Sequence, residues 1–196
     1  YKYMPFSLFN TVVSWMLKKR IHQIELFMKY PHEVQNEVLK KLVNQSKDTF
    51  IGKQYDFKSI NSYKDFSERV PARTYEEFFD YVDRTIKGEQ NVFCSENIKW
   101  FAQSSGTTNS KSKFIPVSNS ALEDCHFKAG KDMLCLYINN NENSNIFSGK
   151  SLRLGGSRKI YENNNNYFGD LSAILIDNLP VWAEIISTPN LSLIHI

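Results

Sequence analysis

Between Ile98 and Val117 the chain changes character twice. Ile98-Lys99-Trp100-Phe101-Ala102 and Phe114-Ile115-Pro116-Val117 are short apolar runs of strand composition. They bracket Ser104-Ser105-Gly106-Thr107-Thr108-Asn109-Ser110-Lys111-Ser112-Lys113, in which seven of ten residues are Ser, Thr or Gly and two more are lysines. A polar segment whose two ends enter apolar strands is a loop with pinned feet, so the fold must contain a sheet that presents it. Closely spaced hydroxyls and backbone N–H groups in such a loop can converge on an anion, and Gly106 permits close backbone approach. Lys111 and Lys113 add compact positive charge suited to phosphate. The chemistry that fits is polyphosphate binding.

Two other readings compete. A Ser/Thr-rich surface linker has the same composition, but the apolar runs abutting both ends argue against it. A Walker A loop needs a second glycine directly before its lysine and a helix after it. Neither is present, and that motif is rejected.

Upstream, the pattern is helical. Leu8 to Met28 carries Val12, Trp15, Met16, Ile24, Phe27 and Met28 at close to a 3.6-residue period, which predicts one amphipathic helix. The basic run Lys18-Lys19-Arg20 raises a membrane-surface reading, but three residues suit the solvated face of a docking helix better. Pro31 opens the next helix at a position where proline is tolerated, with Val34, Val38, Leu39, Leu42 and Val43 as its buried stripe. Lys40 and Lys41 suit its C-terminal dipole, and Gly52 marks the exit. Pro71 separates two further helical pieces whose bulky residues Tyr63, Phe66, Val70, Tyr75, Phe78, Phe79 and Tyr81 supply core. Lys87-Gly88-Glu89 is a turn, and Val92-Phe93-Cys94 reads as a strand.

Downstream of the loop, Ser120-Ala121-Leu122-Glu123 predicts a capping box and a helix to about Tyr137. Asn139–Asn145 and Asn163–Asn166 read as loops around a strand at Ser151–Leu154 closed by Gly155-Gly156. Asp170 is placed to cap a helix carrying Leu171, Ile174, Leu175 and Leu179, which Pro180 kinks or ends. Helices followed by strands interleaved with helices predict an α/β fold.

Composition narrows the partners. The formal charge is only +3 and 41% of residues are hydrophobic, so the chain is globular and lacks the clustered basic excess of a nucleic-acid binder. No window is apolar enough for a membrane span. Three cysteines without CxxC or paired histidine spacing argue against a disulfide framework or a zinc site and fit a reduced, cytoplasmic protein. The chain starts at Tyr1 and ends in Leu191-Ser192-Leu193-Ile194-His195-Ile196, which suggests a piece of something longer with a non-native tail over 191–196.

The segment Trp100-Phe101-Ala102-Gln103-Ser104-Ser105-Gly106-Thr107-Thr108 through Lys113-Phe114-Ile115-Pro116 resembles the adenylate-forming enzymes. Within them it is most similar to the auxin-responsive acyl acid amido synthetase family, the plant hormone-conjugating enzymes and their bacterial relatives. Thr49-Phe50-Ile51-Gly52-Lys53-Gln54-Tyr55, Arg69-Val70-Pro71, Tyr75-Glu76 and Gly169-Asp170-Leu171-Ser172-Ala173-Ile174-Leu175 extend the resemblance over most of residues 35–189. It departs at Asn109-Ser110, where plant members tend to carry glycines, and it fits a bacterial-type member.

The resemblance implies that residues 1–190 are the incomplete N-terminal part of an adenylate-forming large domain, helical first and then mixed. It implies an ATP-dependent ligase that activates an acyl carboxylate as an acyl-adenylate and transfers it to an amine, typically an amino acid. Ser104, Ser105, Gly106, Thr107 and Thr108 would wrap the phosphates, Lys113 would stabilise charge in catalysis, and Mg²⁺ would share that task. The isolated fragment would be inactive. Transfer to coenzyme A, or a non-catalytic interaction domain whose loop is only a linker, are the alternatives. Glu123, Asp124, His126 and Phe127 are secondary candidates for lining the site, Gly155-Gly156-Ser157 reads as a turn, and Cys94, Cys125 and Cys135 read as inert thiols.

Overall fold

The computed structural model describes residues 6–104, 112–141, 143–152, 161–163, 165–185, 187 and 188. The helices are α1 (Phe6–Lys18), α2 (Ile21–Lys29), α3 (Pro31–Ser46), α4 (Phe50–Gln54), α5 (Tyr63–Arg69), α6 (Tyr75–Ile86), α7 (Lys128–Asn140), α8 (Leu171–Asp177) and α9 (Val181–Ile185). The strands are β1 (Trp100–Gln103), β2 (Phe114–Val117), β3 (Ser151–Leu152), β4 (Tyr161–Asn163), β5 (Asn166–Gly169) and β6 (Ser187–Thr188). They form two compact units. One holds α1, α2, α7, β3, β6, α9 and most of α8; the other holds α3 to α6 and the sheet of β1, β2, β4 and β5.

In the second unit, short-range signals set the elements. Pro31 occupies the first turn of α3 as its sequence predicts, while α5 and α6 lie either side of Pro71. Ser62 and Thr74 each accept a hydrogen bond from the backbone three residues on, and Asp65 and Glu77 return it, making two complete capping boxes. Gly88, with φ of 98°, takes the left-handed turn that ends α6.

Val43, Ile51, Phe57 and Ile60 form the helical core, packed by Leu39, Tyr55, Phe66, Val70, Phe78, Tyr81 and Phe93. Val38, Leu42, Tyr63 and Phe79 from the expected stripe and core are instead exposed. Gly52 lies inside α4 and does not mark the exit of α3. A Cβ there would sit 2.9 Å from the Lys47 backbone and closer still to the Ser46 carbonyl, so the chain doubles back too tightly for any side chain.

The expected strand at Val92–Cys94 does not form. The carbonyls of Asn91 and Val92 accept from the N–H groups of Phe50 and Ile51 at 2.8 and 3.0 Å, completing the open end of α4 where a ladder was predicted. The sheet runs β2-β1-β5-β4, with β1 and β5 parallel and both outer pairs antiparallel. Pro116, which cannot donate to a ladder, sits on the edge strand β2. Phe101 and Phe168 are register partners on the central strands and stack at 5.1 Å, with Phe114 edge-on to Phe168 at 5.4 Å. Asn163 and Asn166 pair across β4 and β5, so this Asn-rich stretch is a tight hairpin, turned by Asn165 at φ of 63°.

In the first unit the single helix expected over Leu8–Met28 is two. The break falls at Lys19-Arg20, where the Arg20 N–H bonds the Leu17 carbonyl at 2.9 Å. Its guanidinium grips Asp132 of α7 through both carboxylate oxygens at 2.8 and 3.1 Å. Val13 and Leu17 pack on buried Ile138 and Phe147, whereas Val12, Trp15 and Met16 are exposed. Ser120 does not cap a helix as its sequence predicts. It is itself helical, and Ala121–Phe127 winds as a π-helix in which the Lys128 N–H reaches back five residues to the Glu123 carbonyl. The helix continues to Asn140, and β3 pairs in parallel with β6.

Candidate functional site

The two described ends of the Ser/Thr loop meet on the sheet. The Ser104 N–H donates to the Lys113 carbonyl at 2.9 Å, and the Lys113 N–H donates to Ser104 Oγ at 3.3 Å. One step inward, Gln103 and Phe114 are the last register partners of β1 and β2. The loop therefore leaves and re-enters the sheet at a single point. Ser105, Gly106, Thr107 and Thr108, with Asn109, Ser110 and Lys111, lie outside the described residues.

That point is also where the parallel strands β1 and β5 end together. Ala102 pairs with Gly169, so Ser104 and Asp170 emerge from the same edge of the sheet. Ligands of α/β sheets gather at the carboxyl ends of parallel strands, because loops leaving there diverge and expose backbone donors. Asp170 is half-buried at that edge. Sequence spacing alone gave it only a capping role.

A second element braces the loop's foot from the outer side of β2. The Tyr75 hydroxyl, in the first turn of α6, donates to the Phe114 carbonyl at 3.1 Å and accepts from the Phe114 N–H at 2.8 Å. An edge strand offers unpaired N–H and C=O groups, and one phenol here satisfies both on the same residue. Glu76 follows, its Oε1 3.1 Å from Lys113 Nζ, and the same ammonium lies 4.9 Å from the centre of the Tyr75 ring. A hydrogen bond from the Glu76 backbone N–H, followed by that of Lys113, holds the Glu76 carboxyl below the usual carboxylate range. The Glu76 carboxyl is therefore ionised at neutral pH.

Neighbouring side chains of the same unit build the support. Arg73 donates to the hydroxyls of Tyr81, at 3.0 Å, and of Tyr55, and lies over both rings. Arg69 reaches the Asp56 carbonyl at 3.2 Å. Glu123 and Asp124 are exposed and His126 and Phe127 half-buried on the π-helical stretch, which belongs to the first unit. Gly155, Gly156 and Ser157 lie outside the described residues. Cys94 and Cys135 have thiols pushed up by burial, and Cys135 Sγ donates to the Leu17 carbonyl at 3.0 Å, as inert structural thiols do. Among the described residues no three His, Cys, Asp or Glu side chains converge as a metal set, and no helix is long and apolar enough to cross a membrane.

The family model described as the GH3 family N-terminal domain matches residues 20–194. Over 106 residues the chain is 28% identical to indole-3-acetic acid-amido synthetase GH3.2 of Arabidopsis thaliana, covering 54% of this chain and 19% of that protein. It is 27% identical over 107 residues to jasmonoyl–L-amino acid synthetase JAR6 of Nicotiana attenuata, covering 54% and 18%. The chain thus spans about a fifth of the length of these curated relatives. Its fold is similar to that of AtGH3.15 acyl acid amido synthetase solved in complex with 2,4-DB, with a TM-score of 0.69 over 82% of this chain and 28% of that one, at 20% identity. With residues 20–194 matched by that family model, the chain belongs to the GH3 family.

Proposed function

We propose that this chain supplies the phosphate-binding part of an ATP-dependent acyl acid amido synthetase. The observation that carries this reading is the loop's foot. A Ser/Thr/Gly-rich segment is closed by Ser104 and Lys113 at the carboxyl edge of a parallel strand pair, in a chain of a family whose named relatives are amido synthetases. In the reaction an acyl carboxylate oxygen attacks the α-phosphorus of ATP. The bond to the β-phosphate oxygen breaks, pyrophosphate leaves, and an acyl-adenylate forms. An amine, in the relatives' names that of an amino acid, then attacks the acyl carbon, AMP leaves with the bonding pair, and the amine's proton passes to solvent or a base.

The residues in this chain do electrostatic and positional work. Ser104, Ser105, Gly106, Thr107 and Thr108 offer hydroxyl and backbone donors to the phosphates, and Lys113 offsets the charge that builds as pyrophosphate departs. Mg²⁺ fits as an ion carried in on the phosphates, since it usually keeps waters and takes only one or two protein carboxylates. Residues 1–190 would contribute one part of the adenylate-forming domain, and residues 1–196 alone are expected not to turn over. A reducing, cytoplasmic setting suits the free thiols of Cys94, Cys125 and Cys135.

The test is ATP–pyrophosphate exchange by the full-length protein across a panel of carboxylic acids. Acid-dependent exchange is expected, and Lys113→Ala should lower it by about 10- to 100-fold, the loss of one charge-assisted contact. Amide should be the product when amino acids are added. Acyl-CoA in its place would reassign the acceptor, and no exchange with any acid would overturn the reading.

A further inference from the structure

Lys113 has an anionic partner within the chain. Its ammonium lies 3.1 Å from Glu76 Oε1 and beneath the same turn's aromatic face, 4.9 Å from the Tyr75 ring centre. Both partners belong to the first turn of α6, and that turn is fastened to β2 independently of the lysine, by the two hydrogen bonds of the Tyr75 hydroxyl across Phe114. The resting place is therefore a property of the fold rather than of the lysine's own rotamer. The bond itself is open to water, with the Lys113 side chain 39% and the Glu76 side chain 71% exposed. Ion pairs so exposed are weak and easily exchanged. A polyphosphate brings several negative charges and bidentate-capable oxygens, and it outcompetes a single solvated carboxylate.

We infer that Glu76 is the resting partner of Lys113: it holds the ammonium beside β2 until a bound polyphosphate draws the ammonium away from it. This rests on the reading of Lys113 as a phosphate ligand. Glu76 is on this account a positioning residue that opposes nucleotide binding. Every nucleotide that binds must first separate the pair, so the carboxylate weakens affinity, while at saturation it has no part in the chemistry. Tyr75 keeps the turn in place in both states.

Glu76→Gln in the full-length protein is the direct test, because it keeps the side chain's size and removes its charge. The KM for MgATP in pyrophosphate exchange should fall about three-fold, the scale of an exposed ion pair, with kcat unchanged. Glu76→Ala should move KM the same way, and both variants should stay folded with a small loss of thermal stability, because the lowered Glu76 carboxyl supports the first turn of α6. In the background of Lys113→Gln, adding Glu76→Gln should change nothing, since the partner is gone. A KM that rises or stays put in Glu76→Gln, while Lys113→Gln still weakens ATP, would overturn the resting-partner role and leave the phosphate reading intact. An unchanged KM in Lys113→Gln alone would instead remove the phosphate reading, and this inference with it.

Discussion

The two units are held by different balances of bond. In the second, caps act over one turn of chain: Thr49 Oγ1 caps Gly52 N–H at 3.0 Å, and Ser62 and Thr74 close capping boxes with Asp65 and Glu77. Aromatic packing joins these elements, helped by longer bonds from the Tyr75 hydroxyl to Phe114 and from Asn166 Nδ2 to the Ile86 carbonyl at 2.8 Å. In the first, α1 and α7 are joined by groups more than a hundred residues apart in sequence. Asn10 bonds the Ser144 carbonyl and the Phe147 N–H, both at 3.1 Å, Arg20 grips Asp132, and Cys135 bonds Leu17. Val13, Leu17 and Leu134 pack against buried Ile138 and Phe147, and Trp15 and Met16 on α1 remain 59% and 61% exposed. Local bonds decide which elements exist; distant ones decide which elements meet. The second unit should therefore fail by steric insult and the first by loss of a single polar group.

Gly52→Ala is the sharpest way to break that contrast. The added Cβ meets backbone at Ser46 and Lys47, which cannot rotate aside as a side chain would. The cost should be about 3 kcal/mol, with amide protection in α3, α4 and α6 falling together in hydrogen exchange. Tolerance of alanine would mean that the turn after α3 is loose. Asn10→Ala should cost less, about 2 kcal/mol, because it leaves the buried Phe147 N–H without its acceptor. Protection in α1 and α7 should drop while that in α3 to α6 holds. Equal losses in both would show that the units share one cooperative transition.

The same division explains what could be read from the sequence. Pro31, Pro71 and Gly88 act on the backbone within a few residues, and each did in the fold what its chemistry dictates. Val92-Phe93-Cys94 has strand composition, yet its backbone serves the open end of α4, some forty positions earlier. The break after Lys18 falls where Arg20 pairs with Asp132, a partner that no window around Arg20 contains. At the site, Ser104 and Lys113 were legible because the loop's composition and its apolar flanks are contiguous. Tyr75 was legible as a core residue, and it and Glu76 were otherwise visible as part of a family-like pattern. Their role depends on α6 docking beside an edge strand, and the Tyr75 hydroxyl bonds a residue 39 positions away.

The smallest effect is expected at the caps, and its sign depends on pH. The backbone N–H and the hydroxyl of Thr74 hold the Glu77 carboxyl below its ordinary value, and the Asn61 N–H with the Ser62 hydroxyl and N–H do the same for Asp65. A carboxyl lowered in the folded state contributes stability above its unfolded value, and that contribution is lost as pH falls through the lower folded one. The first turns of α5 and α6 should therefore be fully supported above the ordinary values of 3.8 and 4.5, and should fray as acid is added below them. Thr74→Ala should cost about 1 kcal/mol at neutral pH, read as faster exchange of the amides in the first turn of α6. Glu77→Gln should flatten the acid dependence of that turn. If the parent's first turn is equally protected at neutral pH and at about pH 3, the reciprocal bond from Glu77 contributes nothing to α6.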